Sequence, residues 1–340
     1  MRAAVVFSTI LFACGACSDR RVVVYVATDR GIAEPVLQAF ERSSGVHVAA
    51  VYDTEANKTS GLVNRLIAEV RRPRADVFWD NETAQLTRLT DAGVIAPGVN
   101  APDSNRRVGN TGAGIASGVN GPSWAGFAAR ARVLVVYTGA GSKGATPDSI
   151  QALTEPAWKG RAALANPHFG TTGTHFAALL LLWGEPQFRH WLRQLRENEV
   201  AILPGNAQVK DAVAAGRYDF GLSDTDDVNE ALRDSKPVRL VVPDQGTAQM
   251  GVFVIPNAVA LIRGAPHAQS ATKLIDYLLS PEVEAALASS GGAQIPIRNP
   301  LPGPTLLPPL ASLKRLNVDY EKVGRAYAAM LRIVDEEWPR

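Results

Sequence analysis

The sequence predicts an α/β fold arranged as two lobes, each a mixed, mostly parallel sheet flanked by helices. Arg21 to Thr28 is a continuous apolar run of strand length, which suits a strand buried on both faces. A helical pattern and a second strand follow it, completing a βαβ unit, the building block of a parallel sheet. The 340 residues are too many for one ordinary core and suit two lobes. Hydrophobic content of 46% with 20% charged residues belongs to a globular chain rather than a disordered or membrane-embedded one.

In the first unit, Ile32, Val36, Leu37 and Phe40 repeat with period 3.6, Ser43-Ser44-Gly45 ends the helix, and Val46 to Tyr52 returns as a strand. Leu62, Leu66 and Ile67 mark a second helix, 75–79 a third strand, and Leu86 with Leu89 a helix that stops near Gly93. Residues 97–123 are rich in Gly, Pro, Asn and Ser without a period and read as a loop or hinge approach. Trp124 to Tyr137 ends in a buried strand that crosses into the second lobe. The G-x-G-x-x-G at 139–144 is no dinucleotide fingerprint, because Ala-Thr-Pro147-Asp148 follows where a helix would have to open. Ala162 to Ala165 is a short strand. Helices follow around Phe176 to Trp183, Phe188 to Leu195 and Asn206 to Ala215. Tyr218, Phe220 and Leu222 alternate with polar or small residues as a strand, and Val238 to Val242 is another. The strand Gly251 to Pro256 leads back into the first lobe. Helices at 273–279 and 282–287, a Pro-rich linker at 296–309 and an amphipathic helix at 318–337 complete the chain. This gives residues 21–125 with 245–300 as one lobe and 126–244 with 305–340 as the other.

The formal net charge of +2 points away from nucleic acid. The basic clusters Arg71-Arg72-Pro73-Arg74 and Arg106-Arg107 have no interleaved aromatic residues and read as solvated loop or helix ends. Residues 1–20 read as an export signal: Arg2, an apolar run from Ala3 to Ala13 far shorter than the ~20 residues of a membrane span, then small residues. Leu11-Phe12-Ala13-Cys14 is similar to a lipoprotein box, and either Cys14 or Cys17 is the candidate lipid anchor. From Arg21 on there is no cysteine, so the folded part has no disulfide, thiolate metal site or cysteine nucleophile.

Two stretches carry candidate chemistry. The strand at 218–222 runs into Ser223-Asp224-Thr225-Asp226-Asp227. Carboxylates so close repel one another unless a positive or hydrogen-bonding group lies among them. An N-cap at Asp226 or Asp227 explains one acid but not three. The alternative is a cation site at the C-terminal end of a strand, where open α/β sheets collect ligands. Earlier strand ends also open into acid, at Asp29, at Asp53 with Glu55, and at Asp80-Asn81-Glu82, which together suggest an acidic edge. The second stretch is Gly170-Thr171-Thr172 at the start of an apolar helix, where free N–H groups beside small hydroxyls make an anion site; an ordinary Thr N-cap is the other reading.

Several segments resemble one family as a set: 75–79, Pro156-Ala-Trp-Lys-Gly-Arg161, Asn166-Pro167 with Gly170-Thr-Thr, Gly205-Asn206, Gly221-Leu222 with the acids, Ile255-Pro-Asn257 and 274–282. Across roughly residues 22–300 the chain looks like the ferric-ion-binding group of periplasmic solute-binding proteins, the receptors of ABC importers. The resemblance implies a two-lobed periplasmic-binding-protein fold with a hinge of crossing strands. It further implies a monomer in the periplasm or on the outer face of the cytoplasmic membrane. There it would deliver a small-molecule or metal ligand to an ABC permease and its ATPase, touching the membrane only through a lipid anchor, with no obligatory cofactor.

The chain departs from that pattern where iron is held. Adjacent tyrosines expected after this second-lobe strand are replaced by Asp224-Thr225-Asp226-Asp227, a first-loop histidine by Asp29, and a glutamate by Asn81 or Glu82. The anion half resembles the family in Gly170, Thr171, Thr172 and Asn206. The resemblance thus implies a cation side of Asp29, Asp80, Asn81, Glu82, Asp224, Asp226 and Asp227, with Asp224, Asp226 and Glu82 as metal ligands. Carboxylates suit Fe³⁺ or another hard ion, and equally an ammonium group. A metal with an anion is therefore the first reading and a zwitterion such as an aminoalkyl phosphonate the second. A hydrolase is the third, without a motif behind it: the histidines at 47, 168, 175, 190 and 267 form no H-E-x-x-H, and no G-x-S-x-G exists.

Overall fold

A computed structural model of the chain describes residues 20–53, 60–97, 124–141, 146–297 and 309–338. The export signal with Cys14 and Cys17, Glu55, most of the 97–123 and 296–309 segments and half of the 139–144 segment lie outside the described residues.

Apolar runs become strands where expected. In the first lobe β1 (Arg21–Val26) lies between β2 (His47–Tyr52) and β3 (Val77–Asp80), parallel to both, and β3 pairs antiparallel with β9 (Val254–Leu261). In the second lobe β5 (Ala162–Ala165) lies between β6 (Ala201–Leu203) and β7 (Phe220–Asp224), again parallel. One long strand, β4 (Trp124–Tyr137), joins the lobes. Its first half pairs with β9, and its second half pairs with β7 and with β8 (Val238–Val241), all antiparallel. A register shift between Phe127 and Ala129, with Ala128 at φ 49°, bends β4 between the halves. All but the last residue of β4 are buried, as a strand shared by two cores must be.

Helices cover both faces. The first lobe carries α1 (Arg30–Ser44), α2 (Ser60–Ala68) and α3 (Ala84–Asp91). The second carries α4 (Gly170–Glu197), α5 (Asn206–Ala214) and α6 (Thr225–Arg233). Next, α7 (Ala268–Leu278) and α8 (Pro281–Ser289) return to the first lobe. The two helices expected around Phe176 and Phe188 are present and meet, within the span named α4, at Gly184, whose non-helical φ of 75° suits glycine, just before Pro186. The last helix, α9 (Tyr320–Glu337), was expected with the second lobe but bridges both. The Tyr327 hydroxyl donates to the His168 carbonyl and Arg189 pairs with Glu337 at 3.0 Å, while Gly324 lies against Ala84 and Thr87 of α3.

Candidate functional site

β1, β3, β5 and β7 all end at the junction of the lobes. There a cavity of about 630 Å³ is lined from the first lobe by Asp29 and Asn81 and from β4 by Arg130. From the second lobe come Phe169 to Thr172, Asn206 to Gln208, and Asp224, Asp226 and Asp227.

The acidic stretch is a direct strand-to-helix junction rather than a loop. β7 ends at Asp224 and α6 begins at Thr225, so Asp226 and Asp227 lie in its first turn, where the helix dipole favours negative charge. Asp224 occupies the N-cap position, but its side chain caps nothing. The antiparallel register sets it opposite Arg132, whose side chain is fully buried. Arg132 Nη1 donates to Asp224 Oδ1 at 2.6 Å, to Thr171 Oγ1 at 2.9 Å and to Asn206 Oδ1 at 3.0 Å, and Nη2 donates to Thr172 Oγ1 at 3.0 Å. The Thr171 hydroxyl and Asn206 Nδ2 both donate to Asp224 Oδ2, at 2.8 and 3.0 Å. The expected anion half and the acid run are thus one hydrogen-bonded network around a buried guanidinium.

Arg130 lies two residues earlier on the same face of β4. Its Nη1 is 3.2 Å from Asp226 Oδ2 and 3.6 Å from Asp224 Oδ2, and its Nη2 donates to the Asn81 carbonyl at 2.8 Å, linking the lobes across the cleft. The positive partner that crowded carboxylates require is therefore supplied by the protein itself. Burial alone would raise Asp224, but Arg132 and Arg130 outweigh it and hold that carboxyl below its ordinary value. Burial raises Asp226, only partly offset by Arg130 and reinforced by Asp224 and Asp29. Asp226 Oδ1 has no hydrogen-bond partner.

One carboxylate oxygen from each of Asp224, Asp226 and Asp227 can lie within 4.8 Å of the other two. The expected ligand set is corrected at two residues: Asp80 and Glu82 do not line the cavity. Both are buried behind Asn81, and Glu82 accepts a hydrogen bond from the Thr174 hydroxyl. Burial drives both carboxyls up. The neighbouring Glu82 adds to the rise at Asp80, and Glu82 itself is pushed up to about 7 against Thr174 and Arg130. Asp227 takes the place in the cluster that Glu82 was expected to fill. His175 is buried with its ring stacked on Phe253, and His168 pairs with Asp335, so neither reaches the cavity.

The N-cap residues of α4, α5 and α6 are Phe169, Gly205 and Asp224, and none caps its helix with a side chain. The first turns of these helices line the cavity, so their N–H groups and positive dipole ends act there together. Residue types alone did not single out Arg130, Arg132, Phe169 or Gln208 for this site. Two arginines alternating with alanine in an otherwise apolar strand were a usable signal, since a charge buried in a shared strand needs a partner.

A family profile described as bacterial extracellular solute-binding protein matches residues 22–292. The chain is 26% identical to iron uptake protein A2 of Synechocystis over 81% of this chain and 80% of that one. Among solved structures, iron-bound HitA from Pseudomonas aeruginosa superposes with a TM-score of 0.80 at 23% identity, covering 94% of this chain and 99% of that one. Trichodesmium IdiA (FutA) in complex with iron and citrate superposes with a TM-score of 0.77 at 20% identity, covering 94% and 100%. The profile match spans most of the chain and agrees with the two-lobed architecture and its central cavity. The protein belongs to the bacterial extracellular solute-binding protein family.

Proposed function

We propose that the chain is the exported receptor of an ABC importer and that its cleft closes on a hard cation, ferric iron by kinship, together with a small oxyanion. The observation that carries this reading is the meeting, in one cavity, of an acid cluster and three helix starts without side-chain caps. With no tyrosine among the described residues that line the cavity, its charged oxygen donors are carboxylates, which suit an oxygen-coordinated ion. Asp226, Asp227 and, across the cleft, Asp29 are the proposed ligands. Asp224 is the bridge that ties them to the network of Arg132, Thr171, Thr172 and Asn206. The two arginines already neutralise part of the acid charge, so a trivalent ion is balanced only if an anion enters with it. The first turns of α4, α5 and α6 offer that anion backbone donors. The cavity of about 630 Å³ is also far larger than a bare ion needs. A lipid anchor at Cys14 or Cys17 would hold the monomer at the outer face of the cytoplasmic membrane, within reach of the permease and its ATPase.

Calorimetric titration of the metal-free protein tests the reading. Ferric citrate or ferric iron with phosphate gives heat, and aminoethylphosphonate gives none. No heat with any ferric form removes the metal reading, and heat with the phosphonate alone puts the zwitterion in its place.

A further inference from the structure

The end of the first lobe remote from the cavity is strongly basic, and we propose that this face rests on an anionic lipid surface. The parallel strands β1 and β3 deliver Asp29 and Asn81 to the cavity at their C-terminal ends, so their N-terminal ends form the opposite pole. Register gathers arginines there from separate parts of the chain. Val24 is level with Val77, which sets Arg21 level with Arg74, and Val77 opposes Leu261, which brings Arg263 to the same end. Arg20, Arg21, Arg71, Arg72, Arg74 and Arg263 are all exposed.

The acids at this pole are turned to other work. Glu41 accepts from the Val48 N–H at 2.7 Å and pairs with His47. Glu69 takes the Tyr25 hydroxyl at 3.0 Å and Arg65 at 2.9 Å, and buried Asp76 takes the Val23 N–H at 2.7 Å. Among the described residues, no carboxylate lies within ion-pair distance of Arg20, Arg21, Arg71, Arg72 or Arg263. Val70, 39% exposed, stands beside the cluster as an apolar tip. The whole chain carries a formal net charge of only +2, so this is a local concentration of charge rather than a general one.

A lipid surface is the fitting partner because of where the chain enters this face. Cys17 precedes Arg20 by three residues and Cys14 by six. An extended chain spans at most ~3.6 Å per residue, so an anchor at Cys17 holds Arg20 within about 11 Å of the lipid. That is close to the Debye length of ~8 Å at physiological salt, where headgroup charge is still felt. The anchor would set the distance, and the arginines would set which face turns to the membrane.

The test uses the full chain with Cys14→Ser and Cys17→Ser, so that anchoring plays no part. Its sedimentation with vesicles of phosphatidylcholine alone is compared with vesicles containing 30% phosphatidylglycerol. The expected result is stronger binding to the anionic vesicles that disappears at 0.5 M salt. Each arginine near such a surface is worth roughly 5-fold in partitioning. Arg71→Gln, Arg72→Gln and Arg263→Gln together should then lower the anionic increment on the order of 100-fold. The matching second-lobe triple, Arg217→Gln, Arg233→Gln and Lys236→Gln, should leave it unchanged. No dependence on phosphatidylglycerol, or equal losses in the two triples, overturns the proposal. Ferric citrate binding, measured on the same proteins, is expected to stay constant, so the result is separate from the cargo reading.

Discussion

Replacing Glu82 with Gln should make the protein more stable at alkaline pH without harming cargo binding. Glu82 is 1% exposed, one oxygen accepts from the Thr174 hydroxyl, the other has no partner, and Asp80 lies buried beside it. Burial first, with Asp224 adding repulsion, raises its carboxyl from 4.5 to about 7. Between those values the folded chain holds a proton that the unfolded chain has released. The contribution to stability is therefore fully present below pH 4.5 and is lost as pH rises through about 7. A rise of that size corresponds to about 3 kcal/mol. Gln keeps an acceptor for Thr174 and removes the titration. Glu82→Gln should thus match the parent near pH 4.5 and exceed it by about 3 kcal/mol at pH 8. Guanidinium unfolding of both proteins, followed by circular dichroism across that range, measures the difference. Stability curves that run parallel would refute the buried-acid argument. Because Glu82 lies behind the cavity wall, the variant should bind ferric citrate within a few-fold of the parent. A loss of 100-fold or more would return Glu82 to the ligand set and refute its placement.

Asp226→Asn should weaken ferric citrate binding by on the order of 100-fold while leaving thermal unfolding nearly unchanged, since it removes a proposed ligand that carries little packing. Burial raises Asp226 and the metal needs the carboxylate, so binding should release a proton and weaken as pH falls through the raised value. Calorimetry in two buffers of different ionisation heat reads that proton. Arg132→Met should cost about 3–5 kcal/mol by leaving buried Asp224 with only the more distant Arg130 as a positive partner, and adding Asp224→Asn should recover part of the loss, measured by chemical unfolding. Gly173→Ala should cost about 1–3 kcal/mol, because the new methyl meets the Tyr327 hydroxyl and lies 2.6 Å from the Pro167 carbonyl, displacing α9 from α4. A thermal unfolding midpoint equal to the parent's would show that α9 yields without strain.

The limits of sequence reading at this site follow from geometry. Apolar runs of strand length and 3.6-period stripes depend on neighbouring residues, so most elements and their order were legible; the short β6 was missed because its three residues, half-buried, carry no pattern of their own. The acid run stood out because three carboxylates occupy four positions. Its neutralisation did not, because the pairing of Arg132 with Asp224 is a property of the β4–β7 register across 92 positions of chain. The same principle explains the error at Asp80 and Glu82. β3 ends at Asp80 and the chain bends at Asn81, so Asn81 lines the cavity while Asp80 and Glu82 on either side of it are buried away from it. Composition marks 80–82 as an acidic strand end, yet the one residue of the three that reaches the cleft is the uncharged one. A strand-end cluster is therefore read correctly only when its phase is known, and β3 acquires its phase from pairing with β1 and β9, which lie 53 or more residues away at the Asp76 and Val23 contact alone.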